Sequence, residues 1–89
     1  MPLSDLFTAL ADPTRREILR ILREGDLTAG ELAERFPLAK STLSGHFAIL
    51  RNAGLIVAEK RDTRIVYSIQ ESAFEEAIGA VLALLGRKS

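Results

Sequence analysis

The chain has 89 residues, which allows one small domain whose buried surface fraction is lower than that of a larger protein. It has no cysteine, which excludes disulfides and thiolate metal sites, and its 47% hydrophobic residues are more than one small core needs. The formal net charge is zero, which argues against a general polyanion binder, yet residues 35–64 carry six basic side chains against two acidic ones.

Two short helices are predicted at the start of the chain. Apolar side chains recur at helical spacing in the first: Leu3, Leu6, Phe7 and Leu10. Asp12-Pro13 begins the second, since Asp caps free N–H groups and Pro suits the first helical position. This second helix is expected to end at Gly25, a typical C-terminal cap.

A helix-turn-helix is predicted next. Thr28-Ala-Gly-Glu31 has the pattern of a capping box, in which the hydroxyl binds the third amide and the carboxylate returns to the first. It opens a short helix that we expect to end at Pro37. The following helix is predicted from near Ser41 to Gly54, with a buried stripe at helical spacing: Leu43, Phe47 and Leu50.

A β-hairpin and a last helix complete the chain. Two β-branched runs flank the polar turn 61–64 and predict the hairpin. Ser72-Ala-Phe-Glu75 has a second capping-box pattern and opens a helix over about residues 72–86, whose apolar face is too wide for one small core. The order ααααββα predicts a winged helix-turn-helix, mainly α with a small β-hairpin wing, as a single domain over residues 1–89.

The second helix of a helix-turn-helix enters the major groove of DNA, with its N-terminal residues nearest the bases. Here the outward face is small and polar, and Ser and Thr hydroxyls reach bases or phosphates. The candidate contacts are Lys40, Ser41, Thr42, Ser44, Gly45 and His46. Gly45 costs about 1 kcal/mol in a helix interior; it either allows close approach to the groove or reflects drift on a tolerant surface.

His46 and the hairpin tip each have two interpretations. His46 is a phosphate contact or, as a close second, a packed helix histidine; a metal role is disfavoured without cysteine or a carboxylate cluster. Arg61 and Arg64 are expected to lie against the minor groove or its phosphates. The alternative is an exposed charged turn in which Asp62 pairs with an arginine for little stability.

Three segments, ALADPTRREILRIL, LTAGELAERFPLAKSTLSGHFAILRNAGLI and EKRDTRIVYSI, resemble ArsR-type winged-helix repressors over roughly residues 5–70. The resemblance implies a homodimer that reads a short inverted repeat at a promoter with two recognition helices. It also implies an interface made by the first helix (about 3–10) and the last (about 72–86). The residues expected there are Leu6, Phe7, Leu10, Ile78, Val81, Leu82 and Leu85.

The resemblance also implies roles for single residues. Ser41, Thr42, Ser44 and His46 match the recognition-helix contacts of the family, and Arg64 matches its wing arginine. Three positions depart from the family pattern. Ala39 stands where a Ser cap is common, Gly45 replaces a longer polar residue, and Thr63 replaces the common glycine of the wing tip.

The sensing residues of metal-responsive family members are missing. Those members use a cysteine pair before the turn, or His with Asp or Glu on the last helix. This last helix has Glu71, Glu75 and Glu76 but no His, and glutamates at a helix start complement its dipole. We therefore expect the metal-independent branch of the family, which includes autorepressors controlled by other proteins, with no metal and no cofactor.

A repressor that binds double-stranded DNA is the expected function, and three other classes of protein are the alternatives. An enzyme is not expected, because no nucleophile–base set and no phosphate-binding glycine loop is present. A winged helix that binds protein instead of DNA is the main alternative; a sensor with only carboxylate ligands is a third. No signal peptide or membrane-length apolar segment is recognised, so we expect a cytoplasmic protein.

Overall fold

The structure is a computed structural model and describes residues 3–86. Its helices are α1 (Leu3–Leu10), α2 (Pro13–Arg23), α3 (Ala29–Ala33), α4 (Lys40–Asn52) and α5 (Glu71–Leu84). Its strands are β1 (Leu27–Thr28), β2 (Ile56–Arg61) and β3 (Arg64–Ile69). The mainly α fold with a hairpin wing is thereby confirmed, and β1 is an addition that the sequence did not predict.

Side chains cap the helices that lead into the helix-turn-helix. Asp12 accepts a hydrogen bond from the backbone N–H of Arg15 at 3.1 Å, as expected for the start of α2. The capping box of α3 is present in both directions: Glu31 N–H donates to the Thr28 hydroxyl at 3.0 Å, and Thr28 N–H donates to the Glu31 carboxylate at 2.8 Å. In contrast, Ala39 gives α4 no side-chain cap.

Two predicted helix boundaries are wrong. The Ser72 capping box does not form, because α5 begins at Glu71 and Ser72 is already its second residue. The N–H of Gln70 donates to the carbonyl of Leu55 at 2.9 Å, so the chain is tied to the body directly before the helix. Helix α3 is also shorter than predicted, ending at Ala33, with turns and a bend leading on to Pro37.

The three strands form one antiparallel sheet in the order β1-β3-β2. Strand β2 pairs with β3 along its whole length, from Ile56 opposite Ile69 to Arg61 opposite Arg64. Strand β1 adds two pairs at the other side of β3, where Leu27 lies opposite Tyr67. This short strand ties the start of α3 to the base of the wing.

The core lies between the helices and the base of the wing. Its most completely buried large side chains come from α2, α3, α4 and the start of the wing: Ile18, Leu32, Leu43, Leu50, Leu55 and Ile56. Each such side chain stabilises the fold by about 1.5–3 kcal/mol. The rings of Phe47 and Tyr67 pack with centroids 4.6 Å apart and an interplanar angle of 36°, which fixes α4 against β3. Within residues 3–86 no helix has the length and apolarity needed to cross a membrane.

Candidate nucleic-acid interface

Helix α4 has the two faces that the sequence predicted. Its apolar stripe, Leu43, Phe47 and Leu50, is buried, whereas the polar residues of its N-terminal half are exposed: Lys40, Ser41, Thr42, Ser44 and Gly45. The first turn contains no acidic residue, so the partial positive charge of the helix N-terminus is not cancelled locally. This end of α4 is therefore an exposed polar surface that offers hydrogen-bond donors and the positive end of the helix dipole.

Gly45 lies in open space at the centre of this polar surface. A Cβ atom built at Gly45 would meet no heavy atom within 4 Å. None of the residues from 3 to 86 therefore requires a glycine there.

His46 differs from its neighbours because it is turned toward the body of the protein. Its side chain is only 16% exposed, and its Nδ1 lies 3.1 Å from Nη1 of Arg15 and 3.9 Å from Oδ2 of Asp12. Sequence reasoning did not single out Arg15, whose guanidinium is buried beneath α1 and α4. The geometry thus matches the second of the two interpretations of His46, a packed helix histidine.

The carboxylate of Asp12 completes this cluster. The hydrogen bond from the Arg15 backbone N–H is the main reason why the pKa of Asp12 lies below its ordinary value. Nearby His46 acts on that pKa in the same direction, although desolvation opposes it. Asp12 is therefore a stable negative charge next to the imidazole at neutral pH.

The two wing arginines lie together at the tip of the hairpin. Arg61 and Arg64 are cross-strand partners and both are exposed. Arg61 Nε donates to Glu59 at 3.2 Å, and this hydrogen bond raises the pKa of Arg61. The ion pair of the tip is thus formed with Glu59 and not with Asp62. Arg64 forms no ion pair with any residue that the structure describes, although its charge is one of the smaller causes that lower the pKa of Glu31. Its charge is thus less engaged than that of Arg61.

The turn of the wing is formed by Asp62 and Thr63. Asp62 has a φ of +57°, a left-handed conformation that Asp tolerates better than β-branched residues do. Thr63 does not adopt a positive φ. The turn therefore avoids strain at Thr63 by placing the left-handed residue one position earlier.

Helices α1 and α5 enclose an apolar groove at the surface. Its lining is entirely hydrophobic: Leu6, Phe7, Leu10, Phe74, Ala77, Ile78, Val81 and Leu82. Two predicted interface residues are exposed in this groove, with Phe7 at 52% and Ile78 at 60%. Leu85, which directly follows α5, is 69% exposed. Leu6 is different, because it is 3% exposed and belongs to the core of its own protomer. Leu84, which the sequence analysis did not name, is 70% exposed.

The described residues bring no metal-binding set together. Between residues 3 and 86, no three His, Asp or Glu side chains converge closely enough to hold an ion. The three glutamates of α5 provide no such cluster.

Comparison with known proteins places these features in a family. The sequence model described as "Bacterial regulatory protein, arsR family" matches residues 12–57, more than half of the chain. The chain is 35% identical over 85 residues to the transcriptional repressor SdpR of Bacillus subtilis, an alignment that covers 96% of this chain and 94% of SdpR.

Solved structures agree with the sequence matches. An ArsR-like transcriptional regulator from Rhodococcus sp. RHA1 has a TM-score of 0.82 at 31% identity, covering 94% of this chain and 78% of that one. HlyU from Vibrio cholerae has a TM-score of 0.75 at 30% identity, covering 96% and 92% respectively. The chain therefore belongs to the arsR family of bacterial regulatory proteins, and it is a transcriptional regulator, not an enzyme.

Proposed function

We propose that this protein is a transcriptional repressor that binds an inverted-repeat operator as a homodimer, with residues 1–89 as one DNA-binding unit. The observation that carries the proposal is the exposed polar N-terminal half of α4, which has no acidic side chain in its first turn. Lys40, Ser41, Thr42, Ser44 and Gly45 are the proposed groove contacts. A surface of this size and polarity fits between two sugar-phosphate backbones.

The wing supplies the second contact in this proposal. Helix α4 packs on β3 through Phe47 and Tyr67, so the recognition helix and the wing form one rigid unit. When α4 lies in the major groove, Arg61 and Arg64 reach the adjacent minor groove or its phosphates. Arg64 carries most of this interaction, because Arg61 already shares its charge with Glu59.

The groove between α1 and α5 supports the homodimer. Phe7, Ile78, Val81, Leu84 and Leu85 are all more than a third exposed, which is a large apolar area for a small protein. A second copy covers such a surface with the same surface, as two-fold symmetry requires. Dimerisation also presents two recognition helices, which matches a palindromic operator. The expected interface is thus formed by Phe7, Leu10, Ile78, Val81, Leu82 and Leu85, with Leu6 beneath them.

Regulation without a metal ion is also part of the proposal. The chain has no cysteine and a single histidine, and that histidine is held by Arg15. A cytoplasmic autorepressor that a regulatory protein controls fits this residue set, and SdpR, its relative, is named a repressor.

The test begins with selection of random-sequence duplex DNA by the purified protein, followed by fluorescence anisotropy on the enriched sequence and a scrambled duplex. We expect an enriched inverted repeat with half-sites about 10 bp apart or a multiple of that. Affinity should fall steeply with salt, and Arg64→Ala should reduce the salt slope by about one unit. Equal, weak binding to both duplexes would contradict the proposal and favour a winged helix that binds protein.

A further inference from the structure

Arg15 is a buried cation at the point where three parts of the chain meet. The residue is only 9% exposed. Its Nε donates to the carbonyl of Ala9 at 3.0 Å, and its Nη2 donates to the carbonyl of Thr8 at 2.7 Å. The last carbonyls of a helix have no partner within that helix, so this guanidinium closes the C-terminal end of α1. A rigid, planar donor group in this position fixes α1 relative to α2.

The third donor direction of the same guanidinium points at the recognition helix. Nη1 lies 3.1 Å from Nδ1 of His46, 31 residues along the chain. A guanidinium is always protonated and has no acceptor, so the imidazole nitrogen must accept this hydrogen bond. The ring of His46 is therefore neutral in this arrangement and carries its proton on Nε2.

We propose that Arg15 and His46 form a positioning pair that fixes the recognition helix α4 relative to α1, and that His46 does not act as a phosphate contact. The inference rests on the proposed function, in which α1 belongs to the dimer interface and α4 reads the operator. Because one guanidinium bonds to α1 and α4 together, it sets the offset of each recognition helix from the interface. That offset determines the spacing of half-sites that the dimer accepts.

Protonation of His46 opposes this arrangement. The charged groups that the described residues bring to the ring are Arg15, from α2, and Asp12, its N-cap. A proton on Nδ1 removes the lone pair that Arg15 uses and places two cations side by side, whereas Asp12 attracts the new charge. Loss of this hydrogen bond weakens the positioning pair and lowers operator affinity. A phosphate contact predicts the opposite sign, since an imidazolium binds phosphate better than a neutral ring does.

Two amide substitutions distinguish the role of Nδ1 of His46 from that of Nε2. In His46→Asn the amide oxygen takes the place of Nδ1 and still accepts from Arg15, but it does not titrate. In His46→Gln the amide lies near the place of Nε2, where a phosphate contact would be made. Asn and His have similar helix propensities, so the Asn variant is a fair structural match. Thermal unfolding of each variant verifies that it is folded before DNA is added.

The experiment measures operator affinity of the wild type and both variants at about pH 8 and about pH 5.5. His46 is the only histidine, so the Asn variant subtracts every other titration. At about pH 8 we expect His46→Asn to stay within about twofold of the wild type and His46→Gln to lose about tenfold. On acidification the wild type should lose affinity relative to His46→Asn.

A second readout tests positioning directly. Operators lengthened or shortened by one base pair between half-sites should be discriminated less well by His46→Gln than by the wild type, whereas loss of a phosphate contact would weaken all of them equally. Wild-type affinity that rises on acidification, or Gln that binds better than Asn, would overturn the proposal.

A measurement without DNA keeps this inference separate from the proposed function. Nitrogen NMR of the imidazole should show the Nε2-protonated tautomer at about pH 8. A ring protonated on Nδ1 would refute the contact with Arg15, whatever the DNA result. Failure of the wild type to distinguish the selected operator from scrambled DNA at about pH 8 would instead refute the proposed function.

Discussion

Substitutions at Gly45 test the stability of helix α4 separately from its proposed contact with DNA. A side chain there meets open space, so replacement by Ala removes the helix penalty of glycine without a clash. We expect Gly45→Ala to raise the free energy of unfolding by about 0.5–1 kcal/mol, measured by urea denaturation at fixed protein concentration. A lower stability would mean that this surface has a partner within the folded protein.

The same position tests close approach to DNA. Gly45→Gln should be nearly as stabilising as Gly45→Ala, because Gln is a good helix former. If the helix backbone lies close to the groove, the longer side chain lowers operator affinity or changes the selected sequence. Ala, with one added carbon, is the matched control. Unchanged affinity and unchanged site preference for the Gln variant would show that Gly45 is not a contact.

Two residues show what sequence reasoning at this scale could not decide. The position of His46 on α4 was predictable, but its direction depends on Arg15, which is 31 residues away and has no local signal. Thr63, which was noted for replacing a common wing-tip glycine, does not adopt a positive φ. Which residue would take the positive φ is decided by the register of the hairpin, in which Arg61 and Arg64 pair and leave Asp62 first in the turn.

The capping box of α3 makes the stability of the helix-turn-helix depend on pH. The hydrogen bond from Thr28 N–H is the main cause that lowers the pKa of Glu31 below its ordinary value of 4.5. A carboxyl with a lowered pKa stabilises the folded state above that value, and this contribution is lost as the pH falls through the pKa of the folded state. Glu31→Gln keeps an acceptor but removes the titration.

We expect the free energy of unfolding to depend on pH more steeply in the wild type than in Glu31→Gln at acid pH. The free energy of unfolding of the wild type should exceed that of Glu31→Gln at neutral pH, and the difference should shrink as the pH falls below 4.5. Urea denaturation at a series of pH values measures both. Asp12 titrates in the same region in both proteins and therefore cancels. A constant difference across the series would contradict a role for the Glu31 charge.

Helix α4 begins without a side-chain cap. Its N-cap, Ala39, has the extended backbone of a capping residue, φ −62° and ψ 147°, but no oxygen to offer. Ala39→Ser supplies one and should raise the free energy of unfolding by about 1 kcal/mol. Ala39→Val keeps an apolar side chain and is the control that should give no gain. An Ala39→Ser variant no more stable than the wild type would show that water already serves these N–H groups.

The elements themselves were predictable where periodicity and caps agree. Helices α1, α2 and α4 follow apolar positions at helical spacing, and the hairpin follows two β-branched runs. Strand β1 was missed because two residues are too few for any period, and because Thr28 already has a role as N-cap. The start of α5 was misplaced because a capping-box pattern at Ser72 competes with the tertiary hydrogen bond from Gln70 to Leu55. Local sequence patterns contain no information about such tertiary hydrogen bonds.

At the scale of the molecule, the exposed faces of α1 and α5 are the strongest sign of a missing partner. Only Ala73 and Ala77 of α5 are buried, although the helix has 14 residues and is rich in large apolar side chains. Ile78 offers the cleanest test, because it is 60% exposed and contributes little to the core of its own protomer. Leu82 is partly buried and would confuse dimerisation with folding.

Ile78→Asp places a charge in the apolar face proposed as the two-fold interface and should yield folded monomers. A monomer contacts one half-site, so operator affinity should fall by about a hundredfold or more, toward the level of non-specific binding. Sedimentation velocity measures the mass, and circular dichroism verifies the fold. Val57→Asp, on the wing and 43% exposed, is the matched control that should remain a dimer. An intact dimer for Ile78→Asp would show that this face of α5 is not the interface. The proposal that two recognition helices bind one operator would then lose its support.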